Sequence, residues 1–145
     1  MENLVIEIKK SWNWVGIDPS EVLYVNDFGN IIIKDISNEY WRLCPEEVYC
    51  EIIAKNNNEL ENLFQNQEFS KDWSMSSLAQ LARKEFGELK NGYKFSFVIP
   101  PILGGKYVLE NIKPAPLSEI IGVSGDIGKQ IKDLPNGAKI KLKIN

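Results

Sequence analysis

Val22-Leu23-Tyr24-Val25-Asn26-Asp27-Phe28-Gly29-Asn30-Ile31-Ile32-Ile33 is where the fold of this chain can first be read. Four residues of strand character meet the turn cluster Asn26 to Asn30, and strand character resumes in three consecutive isoleucines. The turn Ser37-Asn38-Glu39 then leads into Tyr40-Trp41-Arg42-Leu43, and after Pro45 the run from Val48 to Ala54 repeats the pattern. Short β-branched and aromatic runs punctuated by Asn, Asp and Gly predict an antiparallel meander. Three isoleucines in a row leave no polar face, so this strand is expected to be covered on both sides.

Upstream, Leu4, Val5, Ile8 and Trp12 recur at helical spacing, although the alternation Leu4, Ile6, Ile8 also fits a strand; Gly16 and Asp18-Pro19-Ser20 end the segment. Downstream, Asn57 or Asn58 is placed to cap a helix, with Glu61 at capping-box spacing from Asn58 and Leu60, Leu63 and Phe64 as the apolar stripe. A second helix is predicted from Lys71 to Phe86, with Met75, Leu78, Ala79, Ala82 and Phe86 on one face and Gly87 as its stop. Tyr93 to Ile99 alternates as a half-buried strand until Pro100-Pro101 breaks it, and Tyr107 to Ile112 reads as a further short strand. A last helix is predicted over Leu117 to Leu134. After the turn Pro135-Asn136-Gly137, an edge strand is predicted over Ala138 to Ile144, guarded by Lys139, Lys141 and Lys143. The expected architecture is α+β: an antiparallel sheet of about five to seven strands with an N-terminal meander and three to four helices packed on it. A chain of 145 residues is read as a single domain, 1–145.

Composition narrows the function. The sequence has no histidine, which removes Ser-His and Cys-His nucleophile systems and the commonest neutral-pH general base. A net charge of −3 argues against binding nucleic acid through a broadly basic surface. No apolar run is long enough to span a membrane, and Met1-Glu2-Asn3-Leu4 has no basic region followed by an apolar run. Cys44 and Cys50 are read as reduced buried thiols, and two cysteines without histidine make a poor zinc site. These features suit a cytoplasmic protein with no cofactor, no membrane contact and no direct nucleic-acid contact.

Four motifs bear on a site. Gly104-Gly105-Lys106 suggests a phosphate cradle, but Pro100 stands where a P-loop needs its first glycine and Tyr107 replaces the Mg²⁺-binding hydroxyl; a plain glycine turn is the simpler account. Gly122, Gly125 and Gly128 recur every three residues, at a cost of about 1 kcal/mol each against alanine in a helix. That cost implies close packing on the sheet, a helix break near Gly122-Val123-Ser124-Gly125, or a flat strip for a partner's backbone. Asp126, Gln130 and Asp133 share one face of this helix, and Asp126 falls in a first turn if the helix restarts at Ser124. Glu46-Glu47 offers two carboxylates to a basic loop, but as neighbours they face opposite ways and make no acid–base pair.

A family resemblance joins these motifs. Asn26-Asp27-Phe28-Gly29-Asn30-Ile31-Ile32-Ile33-Lys34-Asp35, Tyr40-Trp41-Arg42-Leu43-Cys44-Pro45-Glu46-Glu47, Phe69-Ser70-Lys71-Asp72-Trp73, Pro101-Ile102-Leu103-Gly104-Gly105-Lys106-Tyr107, Glu110-Asn111-Ile112 and the run Ser124 to Pro135 follow in order. From about Trp12 onward the chain resembles a bacterial domain family, related to the GAD-like domain, whose members are type VI secretion immunity proteins paired with a DNase effector. The resemblance implies a cytoplasmic protein that binds and neutralises a cognate toxin. On that reading Glu46, Glu47, Asp126, Gln130 and Asp133 are the expected polar contacts, with Tyr107 or Trp41 as an aromatic anchor. The alternatives are a small-ligand or nucleotide-binding regulatory module using Gly104-Gly105-Lys106 and Ser124-Gly125-Asp126, and a carboxylate- and Mg²⁺-dependent enzyme.

Overall fold

A computed structural model describes residues 2–134; the turn at 135–137 and the strand expected over Ala138–Ile144 lie outside the described residues. Helix α1 (Glu2–Trp12) runs through a 3-10 turn into Gly16, whose φ of 88° lets the chain reverse into β1 (Pro19–Val25). Strands β1, β2 (Ile31–Asp35), β3 (Tyr40–Cys44) and β4 (Tyr49–Ala54) form the expected antiparallel meander, in sheet order β1-β2-β3-β4. The chain is α+β.

The isoleucine run explains the layering. Ile31, Ile32 and Ile33 are all fully buried. Ile31 and Ile33 join Ile8, Trp12 and Ile121 in one cluster, whereas Ile32 joins Tyr40, Ala54 and Leu60 in another. Side chains alternate across a strand, so β2 must be covered on both faces: by α1 and α5 (Leu117–Ile131) on one, and on the other by α2 (Asn57–Gln65) with Phe69 and Trp73 of α3 (Gln67–Ser74).

The structure differs from the sequence expectation in four places here. Among the described residues the strands do not form one sheet, because β5 (Tyr93–Phe97) and β6 (Ile112–Pro116) pair there only with each other. Pro114 and Pro116 strip two backbone donors from β6, which suits it to an edge. This ribbon packs on Phe28 and on α4 (Ser76–Phe86), and Phe95 N–H donates to Asp27 O at 2.8 Å. The helix predicted over Lys71–Phe86 breaks at Met75, whose φ of 44° is left-handed, so α3 and α4 are separate. The cap of α2 is Asn56 rather than Asn57 or Asn58: its side chain accepts from Glu59 N–H, while the Glu59 carboxylate accepts from Lys55 N–H. In place of the strand expected over Tyr107–Ile112, a 3-10 turn at Leu109–Asn111 delivers the chain into β6.

Helix α5 runs unbroken through its three glycines, and the neighbour that approaches them is α1 with its 3-10 extension. A Cβ on Gly125 would lie 2.4 Å from Ser11 O, and one on Gly128 would lie 2.7 Å from the Trp14 ring. Trp12 Nε1–H donates to Ile121 O, and Trp14 Nε1–H donates to Gly125 O, so two indoles bind the backbone of α5. The strip is thus filled from within the chain, and no restart at Ser124 exists to place Asp126 in a first turn.

Candidate functional site

The β3–β4 turn, Pro45 to Val48, stands over a buried polar network. Arg42, on β3, is only 5% exposed at its side chain. Its Nε–H and Nη2–H donate to Asn30 Oδ1 at 3.2 and 3.0 Å, and its Nη1–H donates to Asp72 Oδ2 at 2.7 Å. Asn30 passes the connection on, its Nδ2 donating to both carboxylate oxygens of Glu46 at 2.7 and 3.1 Å. The guanidinium also lies 5.8 Å from the Phe69 ring centroid and 5.4 Å from that of Trp73. Burial alone would lower the Arg42 pKa, but the hydrogen bond to Asp72 and nearby acidic groups hold it above its ordinary value. Burial pushes the Glu46 carboxyl above the usual carboxylate range, against the opposing pull of its hydrogen bonds and of Arg42. Burial likewise raises both thiols, Cys50 to about 12, so neither is a nucleophile at neutral pH. Leu43 is directly opposite Cys50 in the ladder, so Cys44 points to the other face of the sheet from Cys50 and the two cannot join.

Beside this turn the segment 98–108 forms a fixed loop. Asn111 holds it: its Nδ2 donates to Ile99 O and Lys106 O, and its Oδ1 accepts from Ile99 N–H. Gly105 is required there, because a Cβ would come within 1.8 Å of Ile99 O. The N–H groups of Gly104 and Gly105 donate to Pro101 O and Pro100 O. The Gly104-Gly105-Lys106 turn therefore spends on itself the two donors that a phosphate cradle would need. Yet the loop turns Val98, Ile99, Ile102, Tyr107 and Val108 outward, each 39–54% exposed.

Two depressions flank the turn and share Glu46 as a wall. One is an apolar pit of about 160 Å³ between the loop and α5, lined by Phe97, Val98, Leu103, Ile120 and Val123 among others. The other is an open cleft of about 580 Å³ between the turn and the α3–α4 junction, bordered by Arg42, Glu47, Lys71, Asp72 and Tyr107. Among the described residues no group of three or more His, Cys, Asp or Glu is placed to hold a metal ion, and no helix is long and apolar enough to cross a membrane.

The residues singled out from sequence are scattered. Trp41 lies inside the sheet at 9% exposure, its indole N–H donating to Asp35 Oδ2 at 2.8 Å, so it offers no surface anchor. Glu46, 6% exposed, is a network member and not a presented contact. Glu47 and Tyr107 meet at the cleft, where the Tyr107 hydroxyl donates to Glu47 Oε1. Asp126 accepts from Gln130 Nε2–H at 3.2 Å on a half-buried stretch of α5, and neither lines the cleft or the pit. Asp133 is exposed beyond the end of α5, 4.0 Å from Lys132 Nζ. Sequence reasoning passed over Asn30, Arg42, Asp72 and Asn111. The available signal was a lone arginine inside an apolar strand, which demands a partner.

The chain is an α+β scaffold carrying a pre-formed, partly apolar surface loop, with its thiols withdrawn into the fold. The crystal structure of Atu4351 from Agrobacterium tumefaciens shares the fold, with a TM-score of 0.59 at 14% identity over 86% of this chain; the match spans 63% of that longer chain. None of the curated proteins matches the sequence. Residues 54–128 match the family described as T6SS immunity protein Tdi1, C-terminal, and the chain belongs to that type VI secretion immunity family.

Proposed function

We propose that the chain is an immunity protein that neutralises a cognate secreted toxin in the cytoplasm by stoichiometric protein contact, without turnover of its own. The family match over residues 54–128 carries this reading. The matched segment includes the loop 98–108, whose exposed apolar side chains stand on a backbone already fixed by Asn111. A surface that is apolar, exposed and rigid loses little entropy on binding and suits a protein partner. A DNase effector is the favoured toxin, on the resemblance described above: a DNA-holding surface must be basic, and a partner of net charge −3 is repelled by DNA but not by such a surface. Co-expression with the product of the adjacent gene tests the reading. Growth rescue and one-to-one co-purification are expected, and a neighbour that is harmless or does not co-purify would remove its support.

A further inference from the structure

The pit and the cleft share Glu46 as a wall beside the β3–β4 turn, and their linings specify what sits there. The pit is walled by Phe97, Val98, Pro100, Leu103, Ile120 and Val123. Apolar cavities of about 150 Å³ admit a benzene-sized guest, so this one takes a single bulky aliphatic or aromatic side chain. Val98, 54% exposed, and half-buried Val123 form its rim. The Ser124 hydroxyl in the pit wall is spent on its own helix, donating to Ile120 O and Ile121 O.

Charge selects what stands next to that side chain. Ion pairs among the described residues join Lys9 to Asp18, Arg42 to Asp72, Arg83 to Asp27 and Lys132 to Asp133, and Glu47 belongs to none. Glu47 is half-buried at the cleft with a phenol hydroxyl as its hydrogen-bond donor, one residue along the chain from the Glu46 wall of the pit. Of the other charged groups bordering the cleft, Arg42 and Asp72 answer each other, Glu46 is buried and Lys71 is in none of these ion pairs, so Glu47 is the accessible carboxylate there without one.

We propose that the toxin docks on this face through one segment, seating a bulky apolar side chain in the pit and placing a neighbouring Arg or Lys against Glu47. The proposal rests on the immunity reading above and adds where the toxin binds and what it presents. It is tested with the full chain and the adjacent gene's product, by measuring affinity for the rim variants Val98→Asp and Val123→Asp and for Glu47→Lys, with Ile52→Asp on exposed β4 as control. The altered side chains are solvent-accessible, and a thermal midpoint for each variant verifies folding. The two rim variants are expected to lose about 30-fold or more, as for an interface anchor. Glu47→Lys is expected to lose about 10-fold and to flatten the fall of affinity with salt, and Ile52→Asp to bind as the parent does. Should folded rim variants bind within twofold of the parent, the docking face is wrong while the immunity reading stands. If the parent is a dimer that only the rim variants dissociate, and toxin binding is unchanged, the occupant is a second copy and the proposal falls. If the parent itself neither binds nor rescues, the immunity reading fails first and takes this one with it.

Discussion

Three glycines in α5 meet three different neighbours, and a single added methyl group separates them. At Gly125 it would press on Ser11 backbone at 2.4 Å, which has nowhere to go. At Gly122 it would meet only Glu7 Oε1, the end of a flexible side chain, at 2.9 Å. Gly125→Ala is therefore expected to cost about 1–3 kcal/mol, as overpacking does. Gly122→Ala should be neutral or gain up to about 1 kcal/mol from helix propensity. Urea unfolding of the pair checks both. Two buried carboxyls give opposite pH dependences. Burial holds the proton on Glu46 above its usual 4.5, so ionisation opposes the fold, and stability falls as pH rises from that value through the folded pKa. Glu46→Gln should gain on the parent between pH 5 and 8 in denaturant midpoint. For Asp35, burial pushes upward, but the Trp41 indole and the N–H groups of Glu39 and Ser37 outweigh it and lower the pKa below 3.8. Its contribution is complete above 3.8 and is lost as pH falls through the folded value, so Asp35→Asn should flatten the acid limb of the stability curve.

At the level of elements, the polar network fastens α3 to the sheet. Arg42 is nearly enclosed, while its partner Asp72 is 69% exposed at the side chain. Removing the arginine strands Asn30 Oδ1 and leaves Glu46 without the cation behind it; removing Asp72 leaves a guanidinium still bonded to Asn30 and stacked on two rings. Arg42→Ala should cost about 3–5 kcal/mol and Asp72→Ala about 1 kcal/mol or less, measured by chemical denaturation. The same comparison explains why some strings carrying the family resemblance were weak guides to a surface. Asn30, Arg42, Phe69 and Trp73 stand in those strings, yet their side chains meet inside the fold. By contrast, Glu47 and Tyr107, from two of the strings, meet at the cleft as partners that no local rule could have paired, 60 residues apart.

Across the molecule, Phe28 connects the four-stranded sheet to the β5–β6 ribbon, its ring 5.4 Å from Phe97 and 5.8 Å from Phe95. Arg83 adds a second tie, donating to both oxygens of Asp27 at 2.8 Å. These bridges predict one cooperative transition: tryptophan fluorescence, reporting Trp12, Trp14, Trp41 and Trp73, and far-UV circular dichroism should give coincident urea curves. Separate midpoints would mean that the ribbon with α4 unfolds as its own unit. Periodicity and turn chemistry act over a few residues, so the sequence by itself determined the meander, the doubly covered isoleucine strand and the start of α5 at Leu117. Only the tertiary structure decided that the first segment is helix rather than strand, that the six described strands divide four and two, that α1 fills the glycine strip, and that Trp41 and Glu46 turn inward while Ile99 and Ile102 turn out. Each of those outcomes depends on which distant surface arrives opposite a side chain, and that is a property of packing rather than of spacing along the chain.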